Sequence, residues 1–169
     1  TLDLSVGSSG DNVYSKCEKT TPGDPASGEG LYNKASVDTN DDGQPDDEDE
    51  ACGDLPNITV DKSIATITDL GGNMYEVSYQ VLVKNTGGAS GDYDLKDSPG
   101  FDDDIAINSA SYTSNAAGNP GGALVGSGPW TLANNQVIAA GATHTYTIKV
   151  KVTLDLSVGS SGDNVYSKC

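Results

Sequence analysis

Hydrophobic and polar residues alternate along much of this chain with the period of two that marks half-buried β-strands. The longest run is Thr145 to Leu156, where Tyr146, Ile148, Val150, Val152, Leu154 and Leu156 share one face. Thr145, Thr147, Lys149, Lys151, Thr153 and Asp155 occupy the other. Met74 to Lys84 repeats the pattern, with Tyr75, Val77, Tyr79, Val81 and Val83 on the core side. Shorter strands are expected at Leu31–Val37, at Ile58–Ile64 and at Tyr93–Asp97. Ile105–Tyr112 adds another, and Trp130–Ile138 one or two more. Between them lie turn-rich stretches: GSSGDN, TTPGDPASGEG, Asp69–Gly72, NTGGASG, SNAAGNPGG and Ala139–Ala142. About seven strands at short spacing, with no convincing helix, predict an all-β antiparallel sandwich.

The segment TLDLSVGSSGDNVYSKC occupies residues 1–17 and recurs without a mismatch at residues 153–169, an offset of 152 residues. Exact self-similarity at fixed spacing is the mark of a tandem array, and an engineered duplication is the alternative. The period is the length of one ordinary domain, so the chain reads as one full repeat plus the start of the next. Neighbouring copies of the same repeat are therefore the first expected partners. The first copy, with Leu2, Leu4 and Val6 alternating, matches the tail of the long strand that ends at Leu156. The chain is thus expected to be cut inside a domain.

Charge and cysteine narrow the setting. Against 25 acidic residues stand 9 basic ones, a net charge of −16, which argues against nucleic acid and anionic membrane as partners and favours a cation-binding or strongly hydrated surface. No apolar run approaches the roughly 18 residues of a membrane span. No signal peptide is seen, and a window from mid-protein would not show one. Because Cys169 duplicates Cys17, each period holds two cysteines, Cys17 and Cys52. An even count in an acidic, Gly-rich chain favours an oxidised extracellular pair, with two free thiols as the alternative. Cys169 would then open a bridge whose partner lies beyond the end.

The stretches YEVSYQVLVKNTGGASGDYDLKDSPG, IAAGATHTYTIKVKV, GLYNKASV and LPNITVDKSI together resemble the Ig-like repeat of bacterial surface proteins, a family of unknown function that runs as arrays in long secreted chains. The resemblance implies an Ig-like sandwich that begins near LPNITVDK and ends with the LYNKA strand. On that register residues 1–53 are the C-terminal part of one repeat and include the acidic loop 38–50. Residues 54–169 then form the N-terminal part of the next, which does not close its own sandwich.

The acidic loop carries the sharpest chemical signal. Asp38, Asn40 and Asp42 alternate ahead of Gly43, and Gln44, Asp46 and Asp49 stand seventh, ninth and twelfth from Asp38. Alternate acidic side chains deliver oxygens inward from a tight loop, which suits a hard cation wanting six to eight oxygens. The loop departs from an EF-hand in lacking Glu at twelve and helical flanks. DTNDDGQPDDEDEAC is similar instead to the thrombospondin type 3 calcium repeat, which runs directly into a Cys. That resemblance implies Ca2+ as cofactor, held by side chains of Asp38, Asn40, Asp42, Asp46 and Asp49 with the Gln44 carbonyl. A solvated acidic linker is the alternative. Asp102–Asp103–Asp104 is a second, weaker acidic cluster.

Lys62 shares the core-facing parity of Ile58, Val60 and Ile64, where a buried amine is costly unless paired. Asn33 shares a face with Leu31, Ala35 and Val37, and Asp97 with Tyr93 and Leu95. Lys, Asn and an acid in an apolar setting are the ingredients of the isopeptide cross-link known from Ig-like surface domains. The alternative is a snorkelling strand-end Lys and a backbone-bonded Asn. By the family register Lys62 would meet the Asn33 equivalent of the next copy. His144, the only histidine, begins a strand, and Asn57–Ile58–Thr59 fits a short glycosylation sequon. No nucleophile elbow, phosphate loop or zinc spacing is present, so no catalysis is expected. The leading expectation is a structural repeat of an extracellular cell-surface filament, stalk or sheath. A Ca2+-dependent adhesin module binding glycan or protein is the alternative, and an accessory repeat of a secreted enzyme the third.

Overall fold

A computed structural model describes residues 16, 17 and 30–156 of the chain. The alternation at Leu2–Val6, the first two turn-rich stretches apart from Gly30, and the second copy beyond Leu156, with Cys169, lie outside the described residues. Nine strands and no helix make up the described chain. It divides into two compact units. The first comprises the described residues up to Ile58 together with Asn85–Gly91 and Ala139–Ala142; the second comprises Thr59–Lys84, Asp92–Ile138 and the residues from Thr143 onward.

In the first unit β1 (Asn33–Val37) pairs antiparallel with β2 (Asp47–Ala51), from Asn33 opposite Ala51 to Val37 opposite Asp47. Leu31 N–H to Gly53 O and Asp46 N–H to Val37 O extend the ladder at both ends. The last third of the acidic segment is therefore strand, not loop. Its run DEDEA has no apolar alternation to reveal it, because every residue of both strands is exposed. An isolated hairpin of this kind is marginal in water. What holds it are cross-strand contacts (Tyr32 Oη to Glu50 at 2.9 Å, Lys34 to Glu48) and the disulfide Cys17–Cys52. The disulfide spans 35 residues, and closing a loop that long removes about 4 kcal/mol of chain entropy from the unfolded state. Gly30 makes the approach to Cys17 feasible: its φ is +48°, and a Cβ there would stand 2.9 Å from Cys17 Sγ.

The second unit holds a five-stranded antiparallel sheet in the order β3-β4-β9-β6-β7 and a two-stranded sheet of β5 and β8. These strands are β3 (Ile58–Gly71), β4 (Met74–Asn85), β5 (Gly91–Asp97), β6 (Ile105–Ser114), β7 (Gly121–Leu124), β8 (Trp130–Ile138) and β9 (Thr143–Leu154). The two longest alternating runs lie side by side at its centre, with Tyr75 opposite Val152, Tyr79 opposite Ile148 and Val81 opposite Tyr146. Val81, Val83, Tyr146, Ile148, Val150 and Val152 of the large sheet are buried, as are Leu95, Trp130, Leu132 and Ile138 of the small one. The result is sandwich-like, as the alternation predicts. Three details differ from the sequence reading. β3 continues past Ile64 to Gly71, a stretch hidden in the sequence because its apolar spacing slips by one between Ile64 and Ile67. β7 occupies the Gly-rich GGAL, which carries almost no pattern. β8 is one strand. A Gly72–Asn73 turn, both residues at φ near +60° (62° and 61°), joins β3 to β4, as tight hairpins require.

Candidate functional site

Residues 38–46 form the turn between β1 and β2, and their side chains cap their own backbone. Asp38 accepts from the amides of Asn40 (3.1 Å) and Gly43 (2.9 Å). Asn40 Oδ1 accepts from Asp42 N–H at 3.0 Å, and Asp42 Oδ1 from Gln44 N–H at 2.8 Å. Three successive Asx turns result, because short polar side chains at alternate positions each reach the amide two residues on. Gly43 (φ +82°) and Asp41 (φ 57°) take the left-handed conformations that the tight path needs. Asp46 reaches back across the loop to Thr39 N–H (2.6 Å) and Thr39 Oγ1 (2.5 Å).

These bonds favour the charged carboxylates. The Gly43 amide, ahead of those of Asn40, Asp41 and Asp42, holds Asp38 below the usual carboxylate range. The Thr39 hydroxyl and amide do the same for Asp46. On the hairpin itself, Glu50 raises the Tyr32 hydroxyl and Glu48 raises the Lys34 amine.

The loop thus gathers Asp38, Asn40, Asp42 and Asp46 around one turn with Gln44 between them. Asp49 lies instead on β2, opposite Ala35, with its Oδ1 accepting from Glu50 N–H at 2.9 Å. The donor set, carboxylate and amide oxygens on a glycine-containing turn, is chemically suited to a hard cation. Among the described residues no three His, Cys, Asp or Glu converge closely enough to hold a metal. In this structure side-chain oxygens of Asp38, Asn40, Asp42, Asp46 and Asp49 accept from backbone amides.

The second unit brings Lys62 and Asp97 together. Lys62 Nζ bonds to Asp97 Oδ1 and sits 4.7 Å from the centre of the Tyr79 ring. The Lys62 side chain is 40% exposed and that of Asp97 10%, so the amine meets the acid at the margin of the core. The contact establishes that the Lys62 face of β3 looks toward β5. Asn33 belongs to the first unit, on the exposed face of β1. Of the three isopeptide residues, then, the structure joins two.

Two buried polar groups were not singled out by the sequence. Asn85, 1% exposed, accepts from Asn57 N–H (3.0 Å) and Gly87 N–H (3.1 Å) and donates to Ala89 O (2.8 Å) and Ala139 O (3.2 Å). It continues the core parity of Tyr75 to Val83, so that alternation carried one step further would have found it. Next to it Gly87 is obligatory, since a Cβ there would lie 2.3 Å from Leu55 O. Asp104, in the second acidic cluster, is 2% exposed and neither carboxylate oxygen has a hydrogen-bond partner among the described residues. Asp102 Oδ1 accepts from its amide at 3.0 Å, and Asp103 is exposed.

His144 is structural in character. With its ring neutral, Nδ1 accepts from Tyr93 Oη at 2.7 Å, and Tyr93 in turn can accept from Tyr146 Oη at 2.8 Å. Burial lowers the His144 pKa and, together with the Tyr146 bond, raises that of Tyr93. Trp130, 4% exposed, is fixed by Nε1 bonds to Val125 O and Gly126 O, both 3.2 Å. No helix among the described residues is long and apolar enough to cross a membrane. No protein-family model, curated protein or solved structure matches this chain.

Proposed function

We propose that this chain is a structural repeat of an extracellular, cell-surface filament, stalk or sheath, built of Ig-like sandwiches and stiffened by Ca2+ and the Cys17–Cys52 disulfide. The observation that carries the reading is the recurrence of residues 1–17 at 153–169 without a mismatch. A unit repeated at fixed spacing needs little more than a stable fold and a defined junction. The all-β second unit supplies the first. The disulfide and the acidic turn belong to a hairpin with no core of its own, where constraint matters most.

Ca2+ would be held by oxygens of Asp38, Asn40, Asp42, Asp46 and Asp49 and the Gln44 carbonyl, and would supply charge neutralisation to a segment that otherwise repels itself. The net charge of −16 suits a hydrated surface that resists side-to-side aggregation. A disulfide fits an oxidising compartment. The adhesin alternative would draw on exposed aromatic rings, and the one tryptophan is buried.

Imaging of the native assembly tests the array: identical beads at fixed axial spacing are expected, and an irregular or unbeaded assembly rejects it. Calorimetry with Ca2+ up to millimolar concentration tests the loop separately. Uptake should protect residues 38–50 from protease, with chelation reversing it; no uptake removes Ca2+ from the reading.

A further inference from the structure

The second unit is unbalanced, since a five-stranded sheet faces a sheet of two. Lys62 reaches Asp97 on β5, so its neighbours of the same parity, Val60 and Ile64, also face the small sheet's side. Yet Val60 is 63% and Ile64 55% exposed. Beside them opens a cleft of about 290 Å3, mostly apolar, lined by Lys62, Ile64, Tyr79, Asp97, Phe101 and Trp130. The inner face of β3 is therefore an apolar stripe interrupted by one amine, with nothing among the described residues laid over it. β5 is bonded to β8 along one edge only, and its other edge is unpaired among the described strands.

β1 has the complementary form. Leu31 is 54% and Val37 50% exposed, and Ala35 is exposed between them, with Asn33 on the same face. Leu31–Asn33–Ala35 and Val60–Lys62–Ile64 have the same order, apolar, polar, apolar, at strand spacing. β1 too is bonded along a single edge, to β2.

We propose that β1 of a second copy of this chain adds to the free edge of β5 as a third strand and lays its stripe over Val60, Lys62 and Ile64. Backbone ladder bonds supply affinity, and the apolar side chains supply register. Asn33 Oδ1 then accepts from Lys62 Nζ, completing the shell of an amine already bonded to Asp97. The surfaces that meet are different, so the contact is heterologous and propagates from copy to copy. The identity of the partner rests on the array reading above; in an array, covalent linkage raises the effective concentration of the neighbouring strand to about millimolar.

Sedimentation velocity of the 169-residue chain over a concentration series tests this. The wild-type chain should grow end to end with concentration. Leu31→Lys and Ile64→Lys, both at exposed positions, should each weaken association at least tenfold, with unchanged circular dichroism melts. An equimolar mixture of the two should form heterodimers that grow no further, because each retains one intact surface. Val125→Lys, at a 90% exposed loop position, should associate as wild type. A chain that stays monomeric to millimolar concentration overturns the proposal. So do variants that associate like wild type, a mixture that stays monomeric, or loss of association in Val125→Lys. A beaded native fibre whose isolated chains remain monomeric would reject strand addition and leave the array standing; pairing without a beaded fibre would do the reverse.

Discussion

Replacing Asn85 probes a densely bonded buried polar group. Its amide makes four hydrogen bonds to backbone, two accepted and two donated, at 2.8 to 3.2 Å. At about 1 kcal/mol net for each bond, Asn85→Ala should cost roughly 4 kcal/mol, with more if the orphaned groups stay dry. Asn85→Asp sharpens the test. It keeps the two accepted bonds from Asn57 and Gly87 but turns a second acceptor toward the carbonyls of Ala89 and Ala139. At neutral pH it should cost at least as much as the alanine, since a desolvated charge now faces two oxygens. Protonation gives the carboxyl one donor, so its deficit relative to wild type should shrink as pH falls. Urea unfolding followed by far-ultraviolet circular dichroism at several pH values reads both effects. Amide exchange at Asn57 and Gly87 localises them. An alanine variant that loses less than about 1 kcal/mol would refute the reasoning. So would an aspartate variant whose deficit is the same in acid.

Four further outcomes are expected. Cys52→Ser should cost the first unit about 4 kcal/mol, speeding amide exchange in β1 and β2 and leaving the β4–β9 core protected; unchanged exchange in the hairpin would contradict the account. Asp38 and Asp46 have folded pKa values below the 3.8 of an ordinary Asp, so their contribution is present above 3.8 and lost as pH falls through the lower folded values. The Gly43 and Thr39 amide resonances should shift in that acid window, and a flat titration would sink the idea. His144, lowered below 6.5, weakens the fold as pH drops beneath that value, because the unfolded chain takes up the proton more readily. Asp104→Leu, a side chain of the same branching, should stabilise by about 1–3 kcal/mol by removing a buried, unpartnered carboxylate, and a clear loss of stability would show that the group has a role.

The all-β fold was legible where one face is buried and the other wet. Tyr146 to Val152 and Tyr75 to Val83 alternate because inner residues pack toward the core while outer ones, Ser78 excepted, meet water, and these strands pair at the centre of the sheet. β2 was illegible for the opposite reason. Both faces of Asp47–Ala51 are solvated, so nothing selects an apolar residue at either parity, and only pairing to β1 makes it a strand. β7 is short and edge-placed, and β3 escapes a strict period because most of it is exposed. In the candidate sites, the alternate acids of residues 38–42 announced a tight turn, and parity singled out Lys62 and Asp97, which meet, together with Asn33, which belongs to the first unit. Asp104 left no such trace: nothing in a run of three aspartates tells which one the fold will bury.

The disulfide has a mechanical consequence for a chain pulled from its ends. Cys17 and Cys52 have Cα atoms 6.0 Å apart, so tension entering at one passes to the other through the covalent bridge. The hairpin and acidic turn between them are shunted out of the load path, and stretching the chain cannot unzip β1 from β2. Reduction would put that segment in series. With 35 residues at about 3.4 Å each, a fully drawn unit would lengthen by roughly 110 Å. Redox state would then set the extensibility of the chain, and single-molecule stretching with and without reductant would read it as the presence or absence of that one increment.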